Sequence, residues 1–208
     1  MILTKEKIDF YSQLPTGNVA DNNPNGFVLP SDIKPIDSKL HLIGRAFPVD
    51  CAPGDNLALH QAIEAAKAGD VLIFDCKGYT EGGHFGDMMA NACKVKGIAG
   101  VIINGSCRDS QDIKELGFPV YAKAYCPAST VKVQKAGFNQ TITIGNATIH
   151  PGDLIFGDCD GVVVIPQAEE NIVMEKAVHK FEKEKEILKR ILAGESTMKI
   201  YGFDKLVK

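Results

Sequence analysis

What this chain lacks excludes several kinds of protein. It has no surplus of basic residues: 23 Lys and Arg stand against 26 Asp and Glu, a formal net charge of -3. A nucleic-acid footprint needs a basic face, so no nucleic-acid partner is expected. No apolar run approaches the ~18 residues of a membrane span, and no membrane partner is expected either. The opening residues, MILTKEKIDFYSQLP, lack the apolar core of a signal peptide. Six cysteines at 51, 76, 93, 107, 126 and 159 form no CxxC pair. That argues against a zinc site or disulfide framework and for free thiols in a reduced, cytoplasmic protein. Tryptophan is absent, which excludes nothing. There is no internal repeat, low-complexity segment or interdomain linker. The 208 residues, 45% of them hydrophobic, therefore read as one domain with a core at 16–166 and a C-terminal helix and tail at 168–208.

The patterning of what is present predicts a mixed α/β fold. A short helix is expected at 4–14, followed by an irregular Pro/Gly/Asn-rich stretch at 14–27 in which Asp21 reads as a turn or cap. KLHLIGRAFPV at 39–49 reads as a strand. Asp55 is a plausible N-cap for an Ala-rich helix at 56–68 that Gly69 would stop. His60 within that helix reads as structural. VLIFDC at 71–76 is an apolar run of strand length, with Asp75 placed to bond the following turn. A helix near 85–96, a stop at Gly97 and a strand at 98–103 complete a βαβ pattern, which implies a parallel sheet. PVYAK at 119–123 is another strand. After Pro127, short strands with turns at GN, PGD and DCDG indicate an antiparallel section. Asp158 and Asp160 read as turn residues there, since their spacing matches no calcium loop. One long helix at 168–193 ends at Gly194.

The stretch from Gly82 to Asp112 carries the candidate chemistry and reads as a Gly-rich turn, a short helix, a buried strand and an acidic-basic loop. The start of its helix, Gly86-Asp87-Met88-Met89, offers backbone N–H groups without intrahelical acceptors, which suit an anion such as a carboxylate. Gly82, Gly83 and Gly86 would let a ligand approach the main chain. The segment after the strand, Asn104 to Asp112, reads as a loop. It holds Arg108, a planar fork for a carboxylate. It also holds Asp109, a ligand for a hard cation, and Asp112, spaced to share a side of a turn. Such a loop follows a buried parallel strand, where open α/β sheets place ligands.

These residues resemble the family of 4-hydroxy-4-methyl-2-oxoglutarate aldolases and the related regulator of ribonuclease activity A. The resemblance spans about 16–195. It rests on TGNVAD at 16–21, PGDNLALHQAI from 53, GDVLIFD at 69–75, Gly86-Asp87, Arg108-Asp109 and PGDLIFGDCDGVVVIP at 151–166. The finer aldolase signature is an Arg-Asp pair followed after two residues by an acid, here Asp112; the regulator branch lacks that acid. The resemblance implies that Asp109 ligates Mg2+ or Mn2+ and that Arg108 binds the pyruvate moiety. It implies that the amides of Met88 and Met89 hold the carboxylate and that Asp87 holds a water of the metal shell. A Glu of the C-terminal helix, Glu184 by counting back from Gly194, would reach the site of a neighbouring subunit. The implied fold is a swivelling β/β/α domain assembled as homotrimers or homohexamers. Asn104-Gly105 replaces the usual Asp-Gly, and His84 stands where the family fixes no residue.

The expected function is a divalent-metal-dependent lyase that cleaves 4-hydroxy-2-oxo acids to pyruvate, with oxaloacetate decarboxylation through the same enolate. The rival is a non-catalytic regulator that binds a ribonuclease or RNA helicase. A Schiff-base aldolase using Lys77 or Lys123 is a weaker third reading. Glu184 is also anomalous in its own right. It interrupts the stripe Val173, Ala177, Phe181, Leu188 and Ile191, and as a carboxylate on a buried face it would need a partner. Arg190 and Arg45 are the structural candidates.

Overall fold

The computed structural model describes residues 2–134 and 137–207. The chain opens with two short helices, α1 (Lys5–Tyr11) and α2 (Thr16–Ala20). Short strands β1 (Phe27–Val28) and β2 (Lys34–Pro35) follow. Then come β3 (Leu42–Asp50), α3 (Leu57–Ala65), β4 (Asp70–Phe85), α4 (Asp87–Val95), β5 (Gly100–Cys107), α5 (Ser110–Leu116) and β6 (Val120–Tyr125). After β7 (Gly137–Phe138) come the hairpin β8 (Ile142–Ile144) and β9 (Ala147–Ile149), and then β10 (Leu154–Gly157) and β11 (Val162–Ile165). The long helix α6 (Glu170–Leu192) and the short α7 (Thr197–Tyr201) end the chain.

The main sheet has the order β1-β11-β10-β3-β4-β5-β6-β2, with β7 added beside β3. Its centre, β3 to β6, is parallel, and each parallel step crosses over through α3, α4 or α5. Strand alternation decides which face each side chain meets. Leu72, Phe74, Val101 and Ile103 point to one face and form a core with Leu59, Ala62, Ala90, Cys93 and Ile113 of the three crossover helices. Val71, Ile73 and Ile102 point to the other, where they meet Ile155, Val162 and Val164 of the antiparallel strands and Ile142 and Ile149 of the hairpin. The sheet thus curls over itself. Tyr121 of β6 donates from its hydroxyl to the carbonyl of Asp158, beyond β10, at 3.0 Å. On the outer face of the antiparallel part, Val163, Ile165, Leu154 and Phe156 take Val173, Met174 and Ala177 of α6. This is the mixed α/β architecture that was expected, with a central mixed sheet, flanking helices and a long C-terminal helix.

Several boundaries differ from expectation. The stretch at 14–27 contains α2, because Asp158 supplies from afar what the helix start lacks. Its carboxylate accepts from Thr16 N at 2.9 Å and Thr16 Oγ1 at 2.8 Å. Helix α3 stops at Ala65, where Ala66 turns extended and buries its methyl in the core. Gly69, at φ +85°, serves the turn into β4 instead of stopping the helix. Gly97, at φ +76°, and Gly194, at φ +90°, stand where α4 and α6 end, as expected. Asp75 also holds the following turn, accepting from Lys77 N at 3.1 Å and from Asn104 Nδ2 at 2.7 Å. Asp21 is the C-cap of α2 and pairs with Lys180. All six cysteines are free thiols. Among the described residues, no helix is long and apolar enough to cross a membrane.

Candidate active site

Gly82 and Gly83 do not turn the chain; they lie in β4, which continues to Phe85. Their part of the strand rejoins β5 after register shifts, with Gly83 opposite Ser106 and Phe85 opposite Cys107. Gly83 is required there by proximity. A Cβ on it would lie 2.5 Å from the Cys126 carbonyl and 2.9 Å from Arg108 Cβ. Gly86, the N-cap of α4, has extended backbone that any residue could adopt. A Cβ there would meet Asp109 Oδ2 at 2.5 Å. The two glycines let the Arg108-Asp109 pair lie directly on the start of α4.

The expected loop at 104–112 is mostly regular structure: β5 runs to Cys107 and α5 begins at Ser110. Only Arg108 and Asp109 lie between. Arg108 N donates to Phe85 O at 2.9 Å, which fixes the pair against the end of β4. Asp109 adopts left-handed backbone, φ 55°, ψ 35°, a conformation costing on the order of 1 kcal/mol for a non-glycine residue. It occupies the N-cap of α5 but makes no side-chain cap bond. Its carboxylate turns to α4 instead. Oδ2 is 3.4 Å from Asp87 N and 3.3 Å from Arg108 Nε. Both contacts are long, and no described residue hydrogen-bonds Oδ1.

The first intrahelical donor of α4 is Ala90 N, bonded to Gly86 O at 3.0 Å. The amides of Asp87, Met88 and Met89 precede it and carry the positive end of the helix dipole. They open on a cleft of about 290 Å³. Gly86, Asp87, Met88, Met89, Arg108 and Asp109 all line it, so six of the expected site residues meet in one place. Asp112 does not. It is exposed in the first turn of α5 and lies outside the lining.

The cleft also contains residues that sequence reasoning missed: Asn56, Ser129, Thr130 and Lys132. Their only local signal was the Asp55 turn. The Asp55 carboxylate does serve the start of α3, with Oδ1 accepting from Leu57 N at 2.9 Å. Its Oδ2 also accepts from Val133 N at 2.7 Å and Gln134 N at 2.9 Å, which ties a distant strap to the cleft. Burial disfavours that charge, but the three backbone donors and Lys132 outweigh it and hold the carboxyl below its usual range. His60, expected to be structural, is exposed and lines the cleft. Burial first and the charge of Lys132 second lower its pKa, so the imidazole is neutral at pH 7.

His84 is a buried clamp. Gly54 N donates to its Nε2 at 3.1 Å, so the proton sits on Nδ1, which donates to Ser106 O at 3.3 Å. Burial pushes its pKa down. Asn56 Nδ2 donates to His84 O at 3.0 Å, and Asn56 Oδ1 has no partner among the described residues. A buried carbonyl left so costs ~1–3 kcal/mol.

Three other expectations resolve by geometry. Asp158, Cys159 and Asp160 cluster closely enough to hold an ion. However, the Asp158 carboxylate is filled by Thr16 and by Asp160 N at 2.8 Å, so the turn reading stands. Lys77 pairs with Asp75 at 2.6 Å and with Asp50; burial works against its charge, but these partners raise its pKa. Lys123 pairs with Asp32 at 2.9 Å. Lys77 is therefore not the depressed-pKa amine that a Schiff base needs, and Lys123 is held in its ion pair.

Glu184 lies away from the cleft, in a groove of about 720 Å³ between α6 and α7. Its partners are Asn18 Nδ2 at 2.8 Å and Lys180 at 3.7 Å. Arg45 pairs with Glu170 and Arg190 with Glu195, so neither expected arginine serves it. The face expected to bury Glu184 is covered only in its first half. Val173 and Ala177 are buried, while Leu188 is 54% exposed.

An arginine, a carboxylate and a helix start gathered beyond the ends of parallel strands define an α/β protein with a small anion-ready cleft. The chain belongs to the RraA-like family, described as Aldolase/RraA, whose profile matches residues 16–164. A Halalkalibacterium halodurans protein provisionally named a 4-hydroxy-4-methyl-2-oxoglutarate aldolase is 37% identical over 181 residues, 86% of each chain. A structure of an uncharacterised Pseudomonas syringae pv. tomato protein shares the fold, with a TM-score of 0.80 and 24% identity over 94% of this chain and 96% of its own. A structure described as the RNA-processing inhibitor RraA from Thermus thermophilus has a TM-score of 0.68 and 26% identity, over 73% of this chain and 92% of its own.

Proposed function

We propose that this chain is a divalent-metal-dependent lyase that cleaves 4-hydroxy-2-oxo acids of the 4-hydroxy-4-methyl-2-oxoglutarate type to pyruvate, and that it decarboxylates oxaloacetate through the same pyruvate enolate. One observation carries the reading. The Asp109 carboxylate is turned away from its own helix and set beside Arg108 on the start of α4. The name of the Halalkalibacterium relative favours the same activity.

The donors fit Mg2+ or Mn2+. Asp109 offers an unengaged Oδ1, and Asp87 adds a second carboxylate to the same cleft. Mg2+ is commonly held by one or two carboxylates, with waters and substrate oxygens completing its shell. A bound cation would supply Lewis-acid polarisation of the 2-oxo group. The amides of Met88 and Met89 hold the substrate carboxylate. Arg108 donates to the 2-oxo oxygen and stabilises the charge that grows there. The 4-hydroxyl loses its proton, the C3–C4 bond breaks, and its electron pair moves into the enolate. The C4 fragment leaves as a carbonyl compound, and protonation at C3 gives pyruvate. Asp87 orients the water that carries the proton. Asp112 is the alternative for that role, although in this chain it lies outside the lining of the cleft.

Glu184 is proposed to complete the cleft of a neighbouring copy in a homotrimer or homohexamer; the uncovered outer half of α6 supports this placement. Mixing inactive Asp109→Ala and Glu184→Gln chains under subunit exchange should restore part of the activity. No recovery despite proven exchange would remove Glu184 from the site.

The Thermus structure's description favours a second reading, a regulator without catalysis. A screen of 2-oxo acids with Mg2+ or Mn2+, followed by coupled detection of pyruvate, separates the two. Pyruvate release that stops after exhaustive chelation and returns with metal supports the lyase. No release from any substrate, with a ribonuclease or helicase captured by the purified chain, supports the regulator.

A further inference from the structure

Three polar residues of the cleft that catalysis leaves unused, Ser129, Thr130 and Lys132, lie together on one strap, 127–134. It is stitched down along its length. Gly83 N donates to Ala128 O at 2.9 Å, Val131 N to Gly54 O at 2.9 Å, and Asn56 N to Val131 O at 3.0 Å. Asp55, only 3% exposed, then anchors Val133 and Gln134. The strap is therefore a fixed wall, and it brings Ser129, Thr130 and Lys132 to the cleft.

The charges of the cleft are divided unequally. Arg108 and the α4 amides lie beside Asp109 and Asp87. Lys132 has no ion pair among the described residues, and its neighbour His60 is neutral. A 2-oxo acid with one carboxylate would satisfy the α4 amides and Arg108 and leave an ammonium and two hydroxyls of the strap unanswered. A ligand with a second anionic group at its far end would answer both ends.

We propose that the strap forms a second anion subsite, in which Lys132 binds a distal carboxylate and so selects dianionic 2-oxo acids over monoanionic ones. Asp55 is its positioning residue: it touches no substrate and holds the strap in place. The inference rests on the function proposed above for the Arg108 end of the cleft.

The test uses calorimetric titration of the Mg2+-loaded protein with three inert probes. Pyruvate reports the Arg108 end alone. 2-Oxoglutarate and 2-oxopentanoate share a chain length and differ in the distal carboxylate. Wild type should bind 2-oxoglutarate about 10-fold tighter than 2-oxopentanoate, as expected for one charge-assisted contact at a partly exposed site. Lys132→Met should bring that ratio near one and leave pyruvate affinity unchanged, and Lys132→Arg should restore it. Asp55→Asn should lower the ratio while pyruvate still binds. A wild-type ratio near one, a ratio that survives Lys132→Met, or equal loss of all three ligands in that variant would overturn the subsite. If pyruvate itself fails to bind wild type with Mg2+, the function proposed for the Arg108 end fails, and the subsite falls with it.

Discussion

Among the described residues, two turns set acidic groups side by side, and they differ in how fully those groups are already occupied. At the end of β10, Asp158 has its lone pairs filled by Thr16 N, Thr16 Oγ1 and Asp160 N, all within 2.9 Å. At the end of β5, Asp109 has two contacts, at 3.3 and 3.4 Å, and strained backbone. The first carboxylate finishes a fold, since it stands in for the missing cap of α2. The second is held in place by neighbours that leave it chemically unfinished. Proximity of acids does not distinguish them; prior occupation of their lone pairs does.

Exchanging each acid for alanine should separate the two roles. Asp109→Ala should cut pyruvate release by ~10²-fold or more, with urea stability within about 1 kcal/mol of wild type. Asp158→Ala should do the reverse. It strands the hydroxyl and amide of Thr16 and should lower unfolding free energy by on the order of 2–3 kcal/mol, with kcat per folded molecule retained. Equal activity losses in the two variants would erase the contrast. On the proposed mechanism, in which its charge acts mainly as the enolate forms, Arg108→Ala should cost ~10²-fold in kcat. Wild-type turnover in that variant would remove Arg108 from the site.

A smaller effect sharpens the geometry. Gly86→Ala places a methyl 2.5 Å from Asp109 Oδ2 and forces the carboxylate to move. Activity should fall by roughly 10-fold, since small misplacements at a reacting centre are costly, while the helix content by circular dichroism stays unchanged.

The smallest effect concerns pH. His84 is buried, and its folded pKa lies below the ordinary value of 6.5. The unfolded chain therefore binds a proton before the folded chain does. The stability contributed by neutral His84 is complete above 6.5 and declines as pH falls through 6.5 towards the folded value. His84→Gln should flatten that limb in urea titrations. An unchanged acid limb would mean that His84 does not set it.

The parts that sequence made legible were those stabilised by near neighbours. The parallel strands show as apolar runs, α6 ends at Gly194, and Arg108-Asp109 lies beyond the strand that the pattern marks. The illegible parts depend on partners far along the chain. Helix α2 waits for Asp158, 142 residues away. The strap with Lys132 is tied to Asp55 across 78 residues. Gly82 and Gly83 looked like a turn because their role, close approach of Thr130 to the first and of Cys126 and Arg108 to the second, is invisible locally. Glu184 has a partner, but not because its face is buried: the helix is half-exposed there, and Asn18 lies 166 residues away where no spacing points to it.

The contrast between the two acid clusters is tested most directly by titrating Mn2+ into wild type, Asp109→Ala and Asp158→Ala and following free Mn2+ by electron paramagnetic resonance. The account predicts binding by wild type and by Asp158→Ala, tightened in both by pyruvate, and loss of that binding in Asp109→Ala. Mn2+ retained by Asp109→Ala and lost in Asp158→Ala would contradict it.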